Sequence, residues 1–123
     1  MTEKTSASAL DGAQLLATLR GTISALVRVE SQPDLSLRQM AVLLAVYEEA
    51  EAQTVRGLAA ALNVSKPAIT RALDRLGDLD LVKRSIDPDD RRSVLVRRTL
   101  AGTAYVRQLR GQLLLAASKA SER

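Results

Sequence analysis

Residues 62–99 constrain this chain more than any other segment. Leu62-Asn63-Val64-Ser65-Lys66-Pro67 brings together a residue that tolerates left-handed backbone, a helix N-cap and a proline suited to a first helical turn. Farther on, Leu81-Val82-Lys83-Arg84 and Ser93-Val94-Leu95-Val96 contain short β-prone runs, Leu81-Val82 and Val94-Leu95-Val96. Between them, Asp87-Pro88-Asp89-Asp90-Arg91-Arg92 has the composition of a turn that carries an arginine pair. A tight turn, a capped helix and a charged hairpin, in that order, make the pattern of a winged helix-turn-helix, which offers one helix and one hairpin tip to the same duplex.

The rest of the chain reads as helices that frame this segment. Leu15, Leu16, Leu19, Ile23, Leu26 and Val27 recur at helical spacing within residues 10–29 and predict an amphipathic first helix with a continuous core stripe. Ser31-Gln32-Pro33-Asp34 stops it, because proline disfavours helical dihedrals in the residue before it. Ser36 with Gln39 is a capping box and Leu35 with Met40 a hydrophobic staple, so a second helix is predicted through Tyr47 to the acidic run Glu48-Glu49-Ala50-Glu51. Thr54 caps a short helix with Val55, Leu58, Ala59 and Leu62 on one face; Asn63 takes the turn and Val64 plugs the core. In the helix capped by Ser65, residues Ile69, Leu73 and Leu76 face inward, which leaves Lys66, Pro67, Ala68, Thr70, Arg71, Asp74 and Arg75 toward solvent or a ligand. Thr99 caps a last helix in which Leu100, Val106, Leu109, Leu113 and Ala116 or Ala117 recur at helical spacing, with Leu114 and Leu115 widening the apolar face. Residues 1–7 and 119–123 are expected to fray. The fold class is mainly α with a small β-hairpin (α+β). It is read as a single domain over 1–123, a winged helix-turn-helix at 35–98 flanked by helices at 10–30 and 99–120.

Composition narrows the function. With 46% hydrophobic and 26% charged residues the chain lies outside the disordered range and can bury a modest core. The formal charge of +4 is mild, yet +3 of it falls within residues 82–98, where Lys83, Arg84, Arg91, Arg92, Arg97 and Arg98 oppose Asp87, Asp89 and Asp90. Such a patch attracts phosphate even on a nearly balanced protein. Cysteine and histidine are absent, which excludes disulfides, thiolate nucleophiles, histidine bases, thiol-based control and the usual zinc sets. No cofactor and no metal are implied. No apolar run approaches the roughly 18 residues that span a bilayer, and Met1-Thr2-Glu3-Lys4-Thr5-Ser6 lacks a secretory core, so a cytoplasmic protein with no membrane partner is expected.

The residue types around Ser65 suit a major groove about 12 Å wide. Small residues let the backbone approach: Ser65, Pro67, Ala68 and Thr70 line the start of the helix, and Ala68 and Thr70 could touch thymine methyls. Arg71 could read guanine through its paired donors, while Lys66 or Arg75 could hold phosphates. At the hairpin tip Asp90 is close enough to orient Arg92 into a narrow minor groove, which leaves Arg91 for phosphate.

The runs Leu35-Ser36-Leu37-Arg38-Gln39-Met40-Ala41-Val42-Leu43 and Leu58-Ala59-Ala60-Ala61-Leu62-Asn63-Val64-Ser65 are followed by Leu81-Val82-Lys83-Arg84-Ser85, Pro88-Asp89-Asp90-Arg91-Arg92 and Thr99. Together they resemble the MarR family of bacterial winged-helix transcription regulators, over roughly residues 10–118. The most specific element is the wing, where Asp90 and Arg92 coincide with the family's Asp-x-Arg signature. The resemblance implies a dimeric repressor or activator on a pseudo-palindromic double-stranded DNA operator, with the 65–76 helix in the major groove and Arg92 in the minor groove. It also implies small aromatic or anionic effectors, or oxidants, that relieve binding. Repression is the expected mode.

Three features depart from the family's pattern. Asp80 stands where members usually have Gly, and Asp can also take the left-handed C-cap conformation. Arg98 stands in place of the usual Leu before Thr99, which would loosen the wing base or add a phosphate contact. By the resemblance, the sequence is expected to be short for the family and to lack its usual last C-terminal helix. A homodimer is nevertheless expected through residues 10–29 and 100–117, because Leu15, Leu16 and Leu19 with Leu109, Leu113, Leu114 and Leu115 offer more apolar surface than one small domain buries. The alternative is a winged-helix protein-interaction module, against which the exposed cations Lys66, Arg71, Arg75, Arg91 and Arg92 argue. An enzyme is not expected: Glu48, Glu49 and Glu51 cluster at a helix end with no opposed partner, phosphate loop or nucleophile motif.

Overall fold

Capping side chains set most of the element boundaries. The computed structural model describes residues 10–122. In chain order these form α1 (Gly12–Arg28), α2 (Leu37–Glu48), β1 (Gln53–Thr54), α3 (Val55–Leu62), α4 (Lys66–Asp78), β2 (Val82–Asp87), β3 (Asp90–Arg98) and α5 (Leu100–Ser121). The fraying expected over residues 1–7 lies outside the described residues, as does Arg123. At the other end helix persists to Ser121 and Ala120 is buried, so the fraying expected from residue 119 is not found there. Two compact units divide the chain: Pro33–Val106, and the described residues up to Gln32 together with those from Arg107 onward.

In the unit Pro33–Val106, α2 starts at the expected capping box. Ser36 Oγ accepts the Gln39 N–H at 3.1 Å, and Gln39 Oε1 accepts the Ser36 N–H at 2.9 Å. Thr54 and Ser65 cap α3 and α4 in the same way, accepting from the N–H groups of Gly57 and Ala68. The helices and sheet close over Val42, Leu43, Leu58, Ile69, Leu73, Leu76 and Val96, all under 2% exposed or nearly so. Each such side chain contributes about 1.5–3 kcal/mol of burial free energy, which makes this cluster the main source of the unit's stability.

The sheet is antiparallel with strand order β1-β3-β2. β2 and β3 pair from Val82 opposite Arg98 to Ile86 opposite Val94, with an irregularity between Ile86 and Asp87 before the turn. Both strands are longer than the apolar runs that signal them, because cross-strand pairing carries the charged positions along. Leu81, expected in the first strand, instead leaves α4: its N–H donates to the Leu76 carbonyl at 2.8 Å and Asp80 takes φ 61°. The aspartate in place of glycine therefore does supply the left-handed turn. The two-residue β1, paired with Val96 and Leu95, is too short to leave a periodic signal.

Tyr47, at the end of α2, ties these elements together. Its hydroxyl donates to the Leu81 carbonyl at 2.7 Å and accepts the Thr99 N–H at 3.0 Å. Thr99 Oγ1 donates to the Asp80 carbonyl at 2.6 Å and accepts the Gly102 N–H, capping α5 as expected. Gly102 is required here, since a Cβ would occupy the space of Tyr47 Oη and the Leu81 carbonyl. Tyr105, six residues after Thr99, is buried, and desolvation raises its phenol above the usual 10.0.

In the other unit the expected core stripe of α1 is reversed. Thr18 and Thr22 are the buried residues, whereas Leu15, Leu16, Leu19, Ile23 and Val27 are 49–72% exposed. The threonines can be buried because each hydroxyl donates to the carbonyl four residues back, at 2.8 Å. Gly21 lies against Ala116, where a Cβ would come within 3.2 Å of that methyl, and Gln14 Nε2 donates to the Ala120 carbonyl. Small residues thus bring α1 close to α5, and the leucines face outward. On α5, Leu109 is buried rather than part of the free apolar face, while Leu113, Leu114 and Leu115 remain exposed.

Candidate nucleic-acid interface

Asn63 sets the geometry of the helix pair α3–α4. It takes φ 55°, ψ 46°, the left-handed conformation, and its N–H reaches the Ala59 and Ala60 carbonyls. One residue later Val64 donates to the Ala59 carbonyl and packs against the core, so the chain turns and restarts as helix at Ser65. Pro67, in the first turn of α4, has no N–H to lose there.

Five of the residues assigned to the groove from sequence are presented on α4: Lys66, Pro67, Thr70, Arg71 and Arg75 are exposed. Ser65 is also exposed, although its hydroxyl is engaged as the cap. Ala68 is a correction. It is only 7% exposed and sits with Ala72 and Leu76 at four-residue steps on the inward side. The buried face of α4 is thus two ridges wide, 69-73-76 and 68-72-76, and Ala68 belongs to it rather than to the exposed face on which the sequence placed it.

The wing is held from three directions. Asp87 Oδ1 accepts the Asp89 N–H at 2.9 Å and closes the turn. Asp90 Oδ1 accepts from the Arg92 N–H at 3.1 Å and from Arg92 Nε at 3.3 Å, while the Arg92 side chain stays 89% exposed. The carboxylate therefore orients a guanidinium that remains free to enter a groove. Strand alternation puts Arg91, also exposed, on the opposite face. Arg97 Nε donates to Ser85 Oγ across the hairpin at 3.2 Å.

Two contacts were not assigned from sequence. Arg84 of β2 donates to Asp74 of α4 at 2.8 Å, an ion pair that bridges the wing strand and the exposed side of α4. No local pattern marks a pair ten residues apart across two elements. Arg98 neither loosens the wing base nor points to phosphate: its Nε donates to the Val46 carbonyl at 3.0 Å and its Nη2 to the Glu49 carbonyl at 2.6 Å. These are carbonyls at the C-terminal end of α2, which has no basic residue in its own last turn. Beside the α4–β2 junction a groove of about 600 Å³ is lined by Asp74, Gly77, Asp78, Asp80, Val82, Lys83 and Arg84. Among the described residues no group of three or more His, Cys, Asp or Glu could hold a metal ion, and no helix is long and apolar enough to cross a membrane.

A family model described as MarR family matches residues 34–93, the segment that holds the helix pair and the hairpin tip. Among solved structures, the transcriptional regulator BldR from Sulfolobus solfataricus is 30% identical, with 87% of this chain and 79% of that one covered and a TM-score of 0.61. Wild-type MarR from E. coli, in its apo form, is 27% identical over 89% of this chain and 77% of that one, at TM-score 0.66. A MarR-family transcriptional regulator from Rhodococcus sp. RHA1 is 28% identical over 89% and 69%, at TM-score 0.57. Two further structures are matched over only 56% and 62% of their own lengths. No curated protein sequence matches this chain.

Proposed function

The chain belongs to the MarR family of winged-helix transcription regulators, and on that premise we propose that it is a sequence-specific repressor that binds a pseudo-palindromic duplex operator as a homodimer. The observation that carries this reading is that the exposed residues of α4 and the Arg92 held by Asp90 belong to one compact unit, with the Arg84–Asp74 pair bridging β2 and α4. That unit offers Lys66, Thr70, Arg71 and Arg75 from the helix and an oriented Arg92 from the hairpin. In the roles proposed, Arg71 reads a base edge, Thr70 supplies a methyl contact, and Lys66, Arg75 and Arg91 hold phosphates. Arg92 enters the minor groove, where narrowness strengthens the negative potential.

A second copy is needed because adjacent major-groove half-sites lie about 34–36 Å apart and one such domain has one recognition helix. The outward leucines of α1 and α5 supply the surface for it. The test is selection of bound fragments from genomic DNA, followed by titration of the enriched site at several salt concentrations. Log K should fall with log salt at a slope of about −0.9 per neutralised phosphate, and the site should contain two half-sites. Binding that is absent at low salt, or indifferent to salt, would sink the proposal.

A further inference from the structure

The base of the wing rests on the last turn of α2, and Arg98 makes most of that junction. It is the final residue of β3, paired with Val82 of β2, and its guanidinium leaves the sheet to donate to the Val46 and Glu49 carbonyls. The same guanidinium carbon lies 5.6 Å from the centroid of the Tyr47 ring. Tyr47 in turn bonds Leu81, just before β2, and Thr99, just after β3. Both legs of the hairpin are therefore tied to one helical turn by two side chains. Glu48, Glu49 and Glu51 make that helix end acidic, and the last carbonyls of a helix have no intrahelical donor, which is where a cation is held best.

We infer that Arg98, with Tyr47, is a positioning residue for DNA binding, setting the angle at which the wing leaves the winged-helix body. The inference rests on the DNA-binding reading above. Leverage gives the effect its size. From Arg98 to Asp90 the strand spans about 26 Å at roughly 3.3 Å per residue, so a tilt of about 10° at the base moves the tip about 4–5 Å. That is most of a minor-groove width of about 6 Å. A hairpin free to tilt this far no longer delivers Arg92 to the groove while α4 sits in the neighbouring one. Arg98 touches no DNA in this scheme; its contribution reaches the operator only through Arg92.

The experiment compares the full-length protein with Arg98→Leu, Arg92→Ala and the double variant, and uses Tyr47→Phe as an independent second probe of the same junction. Amide hydrogen exchange without DNA should quicken across residues 83–97 in Arg98→Leu and in Tyr47→Phe, with amides of residues 69–76 unchanged. Operator affinity should fall about tenfold in Arg98→Leu, as for loss of one groove arginine. Adding Arg92→Ala to Arg98→Leu should then cost less than about twofold more, because the same contact is already lost. Fully additive losses, or wing amides that exchange as in the parent, would overturn the inference. A parent protein that binds no DNA would instead overturn the functional proposal, and the exchange comparison would still decide whether Arg98 orders the wing. If Arg98→Leu fails to fold, Tyr47→Phe combined with Arg92→Ala carries the same test.

Discussion

Substitution of Arg92 and Asp90 separates binding from stability most cleanly. Arg92 Nε and the Asp90 carboxylate are 3.3 Å apart with the arginine side chain 89% exposed and the aspartate 48% exposed. An ion pair so open to water contributes no more than about 1 kcal/mol to folding. Arg92→Ala should therefore leave the urea midpoint almost unmoved while weakening operator binding by about 1–3 kcal/mol, a factor of about 5 to 150. Asp90→Ala pits two effects against each other. It frees Arg92, and re-ordering such a side chain on binding costs about 0.5–1.5 kcal/mol. It also removes a negative charge near phosphate, worth about 0.4 kcal/mol at 10 Å in water and less once salt screens it. Orientation wins, so Asp90→Ala should weaken binding roughly two- to fivefold. Anisotropy titrations of a labelled operator, run beside urea melts, measure both quantities on the same preparations. Tighter binding by Asp90→Ala would refute the orienting role, and a large loss of stability in Arg92→Ala would make that residue structural.

Three other outcomes are expected. Arg71→Ala should cost about 1–3 kcal/mol and relax preference at one base position, whereas Lys66→Ala should weaken all sequences alike; competition titrations against operator variants distinguish them, and uniform loss in Arg71→Ala would reassign it to phosphate. Gly102→Ala should destabilise the fold by about 3–5 kcal/mol in urea, because Tyr47 must withdraw from two hydrogen bonds and leave part-buried partners unpaired. Adding Tyr47→Phe should recover only part of that, since the Leu81 carbonyl still blocks the new methyl; a loss under about 1 kcal/mol contradicts the crowding. Leu16→Asp, at a position 67% exposed, should leave the protomer folded but halve the mass seen by light scattering, and an unchanged dimer would remove α1 from the proposed interface.

Those features of the chain that depend on a few neighbouring residues were legible in the sequence. The capping box Ser36–Gln39, the caps Thr54, Ser65 and Thr99, the left-handed Asn63 and the Asp87-Pro88 turn all lie where local hydrogen bonding places them. So does the Asp90–Arg92 contact, because two residues on one strand face share a side whatever surrounds them. Periodicity also identified α4, and with it the exposed positions Lys66, Thr70, Arg71 and Arg75.

Tertiary structure alone decided what each stripe meets. An apolar stripe on α1 says that something covers leucines, but Gly21, Thr18 and Thr22 turn the other face toward α5 and leave those leucines outward. Ala68 is as small as a groove-facing residue should be, yet a second inward ridge on α4 claims it. Arg98 looked like a free cation in a basic segment until the end of α2 arrived with carbonyls in need of a donor, 49 residues away in sequence from Glu49. Spacing along a chain reports which side chains share a face. Which partner that face meets depends on contacts between distant segments, each worth only a few kcal/mol, and these exist only once the whole unit has closed.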